Sequence, residues 1–280
     1  MTFHPASALR PADRTIVAAD GTVLFHRDWG TGRPVVFLAG WALNSRMWSR
    51  AMLRLAECGA RTVAFDRRGH GRSADPGRGY DYDTLADDLA AVLDALDLRD
   101  VVLVGHSMAG GEIVRYLTRH GRVRVRGIVL LSPTLPFPLQ TADNPGGYER
   151  AIFDRLRDAV IDDFPGWLDA NARPFFTPDT GAGTVAWVKA MMAESTLHAL
   201  AGCFDAMVET DFRAELARLD LPALVIHGDR DASAPLEITG APTAALQPRG
   251  RLVVYEGAPH GLFVTDAARL QQDLEAFVLP

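Results

Sequence analysis

The stretch Val101-Val-Leu-Val-Gly-His-Ser-Met-Ala-Gly-Gly111 decides how this chain is read. Four apolar β-formers, Val101 to Val104, run into Gly105; Ser107 follows, and the small residues Ala109, Gly110 and Gly111 open an amphipathic run. The pattern predicts a strand, a sharp turn with a serine at its tip, and a helix. Such a turn strains the serine backbone and is tolerated only where the residues two places away are tiny, here Gly105 and Ala109. The hydroxyl is then held above a sheet edge at the positive end of the helix, a setting that makes a weak alcohol a nucleophile. The stretch lacks the Gly-x-Gly-x-x-Gly spacing of a pyrophosphate cradle and the Gly-Lys-Ser/Thr of a triphosphate loop.

A serine nucleophile needs a base, and the base needs an orienting acid. Two later segments offer them at strand ends. Pro222-Ala-Leu-Val-Ile-His-Gly-Asp-Arg-Asp-Ala-Ser-Ala-Pro235 is an apolar strand followed by a turn carrying Asp229 and Asp231. Arg251-Leu-Val-Val-Tyr-Glu-Gly-Ala-Pro-His-Gly261 is another strand, and its exit loop presents His260 between Pro259 and Gly261. The remaining histidines read differently. His106 is expected to face away from the serine, with lining the sheet as its alternative, His227 to belong to its strand end, and His4, His120 and His198 to be peripheral. His70, in Arg67-Arg-Gly-His-Gly-Arg-Ser73, is expected to shape a Gly-rich turn beside the site.

Serine, acid, histidine is the chain order of the α/β-hydrolase triad, and the chain resembles that superfamily over nearly its whole length. Within it the chain is similar to the cofactor-free bacterial haloperoxidases, which are esterases with perhydrolase activity. The likeness is carried by Leu38-Ala-Gly-Trp41, Phe65-Asp-Arg-Arg-Gly-His-Gly-Arg-Ser73, Tyr80-Asp-Tyr-Asp-Thr-Leu-Ala-Asp-Asp-Leu89 and Gly105-His-Ser-Met-Ala-Gly-Gly-Glu-Ile-Val-Arg-Tyr116. It continues in Ile226-His-Gly-Asp-Arg-Asp231 and Tyr255-Glu-Gly-Ala-Pro-His-Gly-Leu262.

The resemblance implies a triad of Ser107, Asp231 and His260, with the backbone N–H groups of Trp41 and Met108 holding the oxyanion. It places the acid three residues after the strand-ending glycine, favouring Asp231; Asp229 is expected to cap the turn through its own backbone. It also implies an ester substrate with water as acyl acceptor, or hydrogen peroxide, which would give a peracid able to oxidise halide in solution; the apolar stretch 133–211, with no Arg or Lys cluster, points to a small to medium neutral ester or lactone. Two positions depart from the group's pattern: Ala39 stands where a histidine is usual, and Ala109 where a glycine is usual. The first removes a side chain that normally braces the oxyanion loop. A dehalogenase would need an aspartate at Ser107. A cofactor-free C–C lyase or dioxygenase, or a ligand receptor on the same scaffold, would be separated from an esterase by fluorophosphonate labelling and p-nitrophenyl acetate turnover.

Composition agrees with an enzyme of this class. The chain has 280 residues, 48% of them apolar, with 25 Gly and 17 Pro, enough for one large core with many turns. A net charge of -6 with mixed signs and no basic block gives no case for nucleic acid or an anionic membrane. The two cysteines, Cys58 and Cys203, lie far apart in apolar helical surroundings and form no disulfide framework, so a reduced cytoplasmic setting is expected. No apolar run approaches the roughly 20 residues of a membrane span. Met1 to Arg14 is polar and lacks the apolar core of a signal peptide. No Cys/His cluster or His-Glu-x-x-His points to a metal, and no cofactor is expected. No motif speaks to oligomeric state.

Strands are expected near 14–19, 22–28, 34–39, 61–65, 101–105, 124–131, 222–227 and 251–255, and helices near 45–58, 84–97, 109–120, 235–246 and 266–278. This alternation predicts an eight-stranded, mostly parallel sheet with helices on both faces. Residues 1–132 and 212–280 would form that core, and the strand-poor, Pro-punctuated stretch 133–211 a helical cap over the serine. The cap is rich in Phe, Trp and Met. Trp41, Phe137, Trp167, Trp187, Met191 and Leu262 are the expected substrate-lining residues, and most other cap aromatics are expected to hold the cap together.

Overall fold

A computed structural model describes residues 14–279. The stretch before Arg14, with His4, lies outside the described residues. Eight strands form one sheet: β1 (Thr15–Val17), β2 (Val23–Trp29), β3 (Pro34–Leu38), β4 (Arg61–Phe65), β5 (Val101–His106), β6 (Val125–Leu131), β7 (Ala223–Gly228) and β8 (Gly250–Tyr255). Their spatial order is β1-β2-β4-β3-β5-β6-β7-β8. β1 and β2 pair antiparallel, as do β2 and β4, and every later pairing is parallel.

The central strand shows why the sheet is covered on both sides. Every residue of β5 is buried. Yet its side chains still alternate: Val101 and Leu103 join one apolar cluster, Val102 and Val104 the other. The first cluster receives Leu85, Leu89 and Val92 of α2 (Tyr82–Ala95) and Ile113 and Leu117 of α3 (Ala109–His120). The second receives Met52 and Leu55 of α1 (Ser49–Glu57) and Leu270, Leu274 and Val278 at the chain's end.

Between β6 and β7 run α4 (Arg150–Asp162), α5 (Phe164–Phe175), α6 (Ala182–Met192), α7 (Leu197–Glu209) and the short α8 (Arg213–Leu216). α7 is not a mere cover. Its Ala199 and Cys203 are fully buried in the same cluster as α2 and α3. Gly202 lets it approach closely, since a Cβ there would come 2.7 Å from Tyr80 Cβ. α9 (Gly240–Leu246), α10 (Leu262–Thr265) and α11 (Ala267–Val278) complete the chain.

The expected helix at 235–246 begins only at Gly240. Pro242 explains the late start. It cannot donate to a carbonyl four residues back, so the helix opens where proline falls in the first turn and its missing N–H costs nothing. Likewise Ser45–Trp48 is a tighter 3-10 turn ahead of α1.

Adjacent registers bring the carboxyl ends of the parallel strands to one edge. Leu38 lies opposite Gly105, His106 opposite Leu131, and Gly228 opposite Tyr255. The turns leaving these ends carry the residues singled out above, as expected for an open α/β sheet.

Candidate active site

Ser107 occupies the one step between β5 and α3 where the chain must reverse. Its φ is +56°, a left-handed conformation that costs a non-glycine residue roughly 1–3 kcal/mol. Its own N–H is held by the Leu131 carbonyl at 2.9 Å, anchoring the elbow to β6. Gly105 is required: a Cβ there would come 2.7 Å from Ile113 Cδ1 and 3.0 Å from the Ala109 carbonyl. Among the described residues the Met108 amide donates to no protein group, as befits the first turn of a helix.

Asp231 sits three residues beyond Gly228 and is buried. Its Oδ1 accepts from the N–H groups of Ser233 (3.0 Å) and Ala234 (2.7 Å). Its Oδ2 lies 2.7 Å from His260 Nδ1 and 3.3 Å from His227 Nε2. Burial alone would push this carboxyl up. Electrostatic attraction to His260 and hydrogen bonds from His227 and His260 outweigh that and hold it well below the usual carboxylate range. An ionised Oδ2 accepts only, so His260 carries its proton on Nδ1 and Nε2 is left as the basic nitrogen. His227 also bonds the Ala234 carbonyl through Nε2 at 2.7 Å, pinning the turn that carries Asp231.

Asp229 does not cap its own turn as expected. Its Oδ1 accepts from Gly257 N at 2.7 Å, bracing the loop that leads to His260. His106 does not turn away either. Its ring lies 4.7 Å from that of His260, and Nε2 donates to the His260 carbonyl at 3.1 Å. Burial, then the nearby His260, lowers its pKa to about 3, so it is neutral at ordinary pH. Alternation along β5 places His106 in phase with Val102 and Val104, on the face that packs against Leu262 and Phe263. That periodicity was the signal for its true position. His70 is fully buried, with Nδ1 donating to the Arg68 carbonyl at 2.9 Å within its own turn.

The loop after β3 runs against the elbow. A Cβ on Gly40 would come 3.3 Å from Ser107 Cβ. Successive carbonyls here are committed: Trp48 Nε1 donates to Leu38 O at 3.1 Å, and Arg67 donates to both Ala39 O and Gly40 O. Among the described residues the Trp41 amide, like that of Met108, donates to no protein group. The indole of Trp41 is fixed separately, Nε1 donating to Leu200 O at 2.9 Å.

Ser107 and His260 open on one cavity of about 320 Å³. Trp41 and Trp167 line it, their rings edge-on at 5.5 Å. Four other expected lining residues do not. Met191 and Leu262 are fully buried in the apolar cluster behind the cavity. Trp187 packs on that cluster's edge, and Phe137 lies beneath the Arg213 guanidinium, 5.5 Å from its ring centre. On α6 the error is one of phase. Val188, Lys189 and Met192 face the cavity, and at 100° per residue Trp187 and Met191 fall beside that stripe. Instead Phe153, Phe175, Phe176, Phe204 and Met207, none of them singled out from the sequence as lining, form much of the wall. Among the described residues no three His, Cys, Asp or Glu side chains converge as metal ligands. None of the helices there is long and apolar enough to cross a membrane.

The fold and the strand-end constellation define an α/β hydrolase, and comparison with known proteins agrees. Residues 35–271 match the alpha/beta hydrolase family, and the chain belongs to it. It is 41% identical over 268 residues to the non-heme chloroperoxidase CPO-A1 of Kitasatospora aureofaciens, covering 92% of this chain and 97% of that one. It is 36% identical to the bifunctional esterase/perhydrolase DCH of Acinetobacter calcoaceticus, covering 94% and 98%. Among solved structures, the esterase EaEST from Exiguobacterium antarcticum superposes with a TM-score of 0.92 at 31% identity, covering 95% and 99%.

Proposed function

We propose that the protein is a serine carboxylesterase acting on small to medium neutral esters or lactones. The observation that carries this is the buried Asp231–His260 pair, 2.7 Å apart, behind the cavity that the strained Ser107 also faces. Ser107 Oγ attacks the ester carbonyl while His260 Nε2 takes its proton. Asp231 fixes the Nδ1–H tautomer and stabilises the imidazolium as it forms. The amides of Trp41 and Met108 donate to the oxyanion. The tetrahedral adduct collapses, His260 returns the proton to the leaving alcohol, and the acyl group stays on Ser107. Water, deprotonated by His260, then releases the acid.

Residues 133–211 act as the cap in this reading. The apolar wall they contribute suits an uncharged acyl or alkyl group, and the charge of Lys189 is met by Asp169. The esterase/perhydrolase and chloroperoxidase names of the relatives favour hydrogen peroxide as an alternative acyl acceptor, giving a peracid in place of the acid.

The test is a panel of p-nitrophenyl esters and lactones, with and without peroxide, on the parent and Ser107→Ala. We expect neutral short and medium chains to be preferred, a fluorophosphonate to label the parent alone, and peroxide to divert product to peracid. Turnover retained by folded Ser107→Ala, or preference for charged or very long acyl groups, would refute the reading.

A further inference from the structure

We propose that Arg67 is a positioning residue that orients and spaces the two oxyanion donors; the inference rests on the esterase reading above. Arg67 follows β4 and is buried, with no direct place in the acyl-transfer chemistry. Every arm of its guanidinium is used. Nη1 donates to Gly40 O at 3.2 Å and Nη2 to Ala39 O. Nε donates to Glu112 Oε1 at 2.8 Å, and Nη2 also meets that carboxylate.

The geometry of a single peptide gives these contacts their consequence. The Gly40 carbonyl and the Trp41 N–H belong to one planar trans unit, so they point in opposite directions. A cation that draws the Gly40 carbonyl toward itself turns the Trp41 N–H away from it, and this loop backs onto Ser107. The second donor, the Met108 amide, heads α3, and Glu112 lies on the first turn of that helix. Through one planar group the loop after β3 and the helix after β5 are therefore held in fixed relation. Lysine cannot reproduce this, since an ammonium is a point charge without the fork. The arrangement supplies a brace at Ala39, whose own methyl offers none. Burial raises the Glu112 carboxyl while Arg67 opposes that rise, and the carboxylate in turn keeps Arg67 charged.

Removing Arg67 alone would strand a buried carboxylate, so the test uses the double variant Arg67→Met/Glu112→Leu beside Arg67→Lys. Loss of one oxyanion donor typically costs 10²–10³-fold in kcat, and misplacing one should fall near the lower figure. With a p-nitrophenyl ester we expect kcat of the folded double variant to fall about 10²-fold, with KM within about threefold. Affinity for an arylboronic acid, whose serine adduct is tetrahedral, should fall by the same factor. Arg67→Lys should fold and keep a deficit of at least about tenfold in kcat. Folded variants with parental kcat, or with a kcat loss that leaves boronate affinity untouched, would overturn the proposal. Ser107→Ala assayed first separates the two claims: activity surviving there retires the nucleophile itself, whatever Arg67 does.

Discussion

The two walls of the cavity are built on different physics. On the sheet side, nearly every group near Ser107 is fixed by a directional bond: its own N–H to Leu131, Asp231 to two backbone amides and two histidines, His106 to the His260 carbonyl. On the helical side, α4 to α7 present rings and aliphatic chains, with Phe175 edge-on to Phe176 at 5.0 Å and Phe153 edge-on to Phe204 at 6.3 Å. Hydrogen bonds fix position to tenths of an ångström, whereas apolar contact fixes volume and little else. The sheet wall should therefore be intolerant of change and the helical wall plastic.

Substitution at Ser107 gives the sharpest contrast. Ser107→Ala should lower kcat by up to about 10⁶ with the melting temperature nearly unchanged, read by steady-state kinetics and calorimetry. Next comes the aspartate pair. Asp231→Asn should cost about 10⁴ in kcat, because an amide cannot hold the same tautomer, whereas Asp229→Asn should cost less than about tenfold. The reverse order would reassign the acid.

Acidity probes burial through stability, at His106 on the cavity wall and at His70 in the turn after β4. His106 and His70 both have pKa values lowered from 6.5 to about 3 by burial, so the unfolded chain takes up protons that the folded chain refuses. Their contribution is complete above about pH 6.5 and drains away as pH falls toward 3. The slope is at most about 1.4 kcal/mol per pH unit for each group. Denaturant titrations at pH 7, 6, 5 and 4 should show the decline, and His70→Asn should flatten it. A pH-independent midpoint would mean that the two rings are charged or solvated in the native state.

The helical wall should give the smallest changes in rate. Trp167→Ala and Phe175→Ala should keep kcat on a short ester within about tenfold and shift preference toward bulkier acyl groups, measured as ratios of kcat/KM across a chain-length series. A collapse of kcat on short esters would show that this wall, too, sets the chemistry.

What the sequence disclosed follows the same division. The elbow was legible because strain, glycine and small neighbours leave a local signature at Gly105, Ser107 and Ala109. The placement of Asp231 and His260 at strand exits was legible because each follows a clear apolar strand. The Arg67–Glu112 pair spans 45 residues, and nothing local marks it as facing the loop after β3. On α6, Trp187 and Met191 were mistaken for lining because aromatic and sulfur side chains look alike on either side of a helix whose phase is set by its neighbours. Asp229 was misread because its partner, the Gly257 amide, is supplied by another strand's exit.

The close seat of α7 has a practical corollary for building chimeras. With Gly202 against Tyr80, Cys203 sunk beside α3, and Leu200 receiving the Trp41 indole, this helix belongs to the foundation although it arrives late in the stretch between β6 and β7. A graft from a relative should exchange residues 133–192 and leave α7 native. Carrying the foreign segment through to 211 would import a helix cut for a different socket and unseat the tryptophan at the mouth.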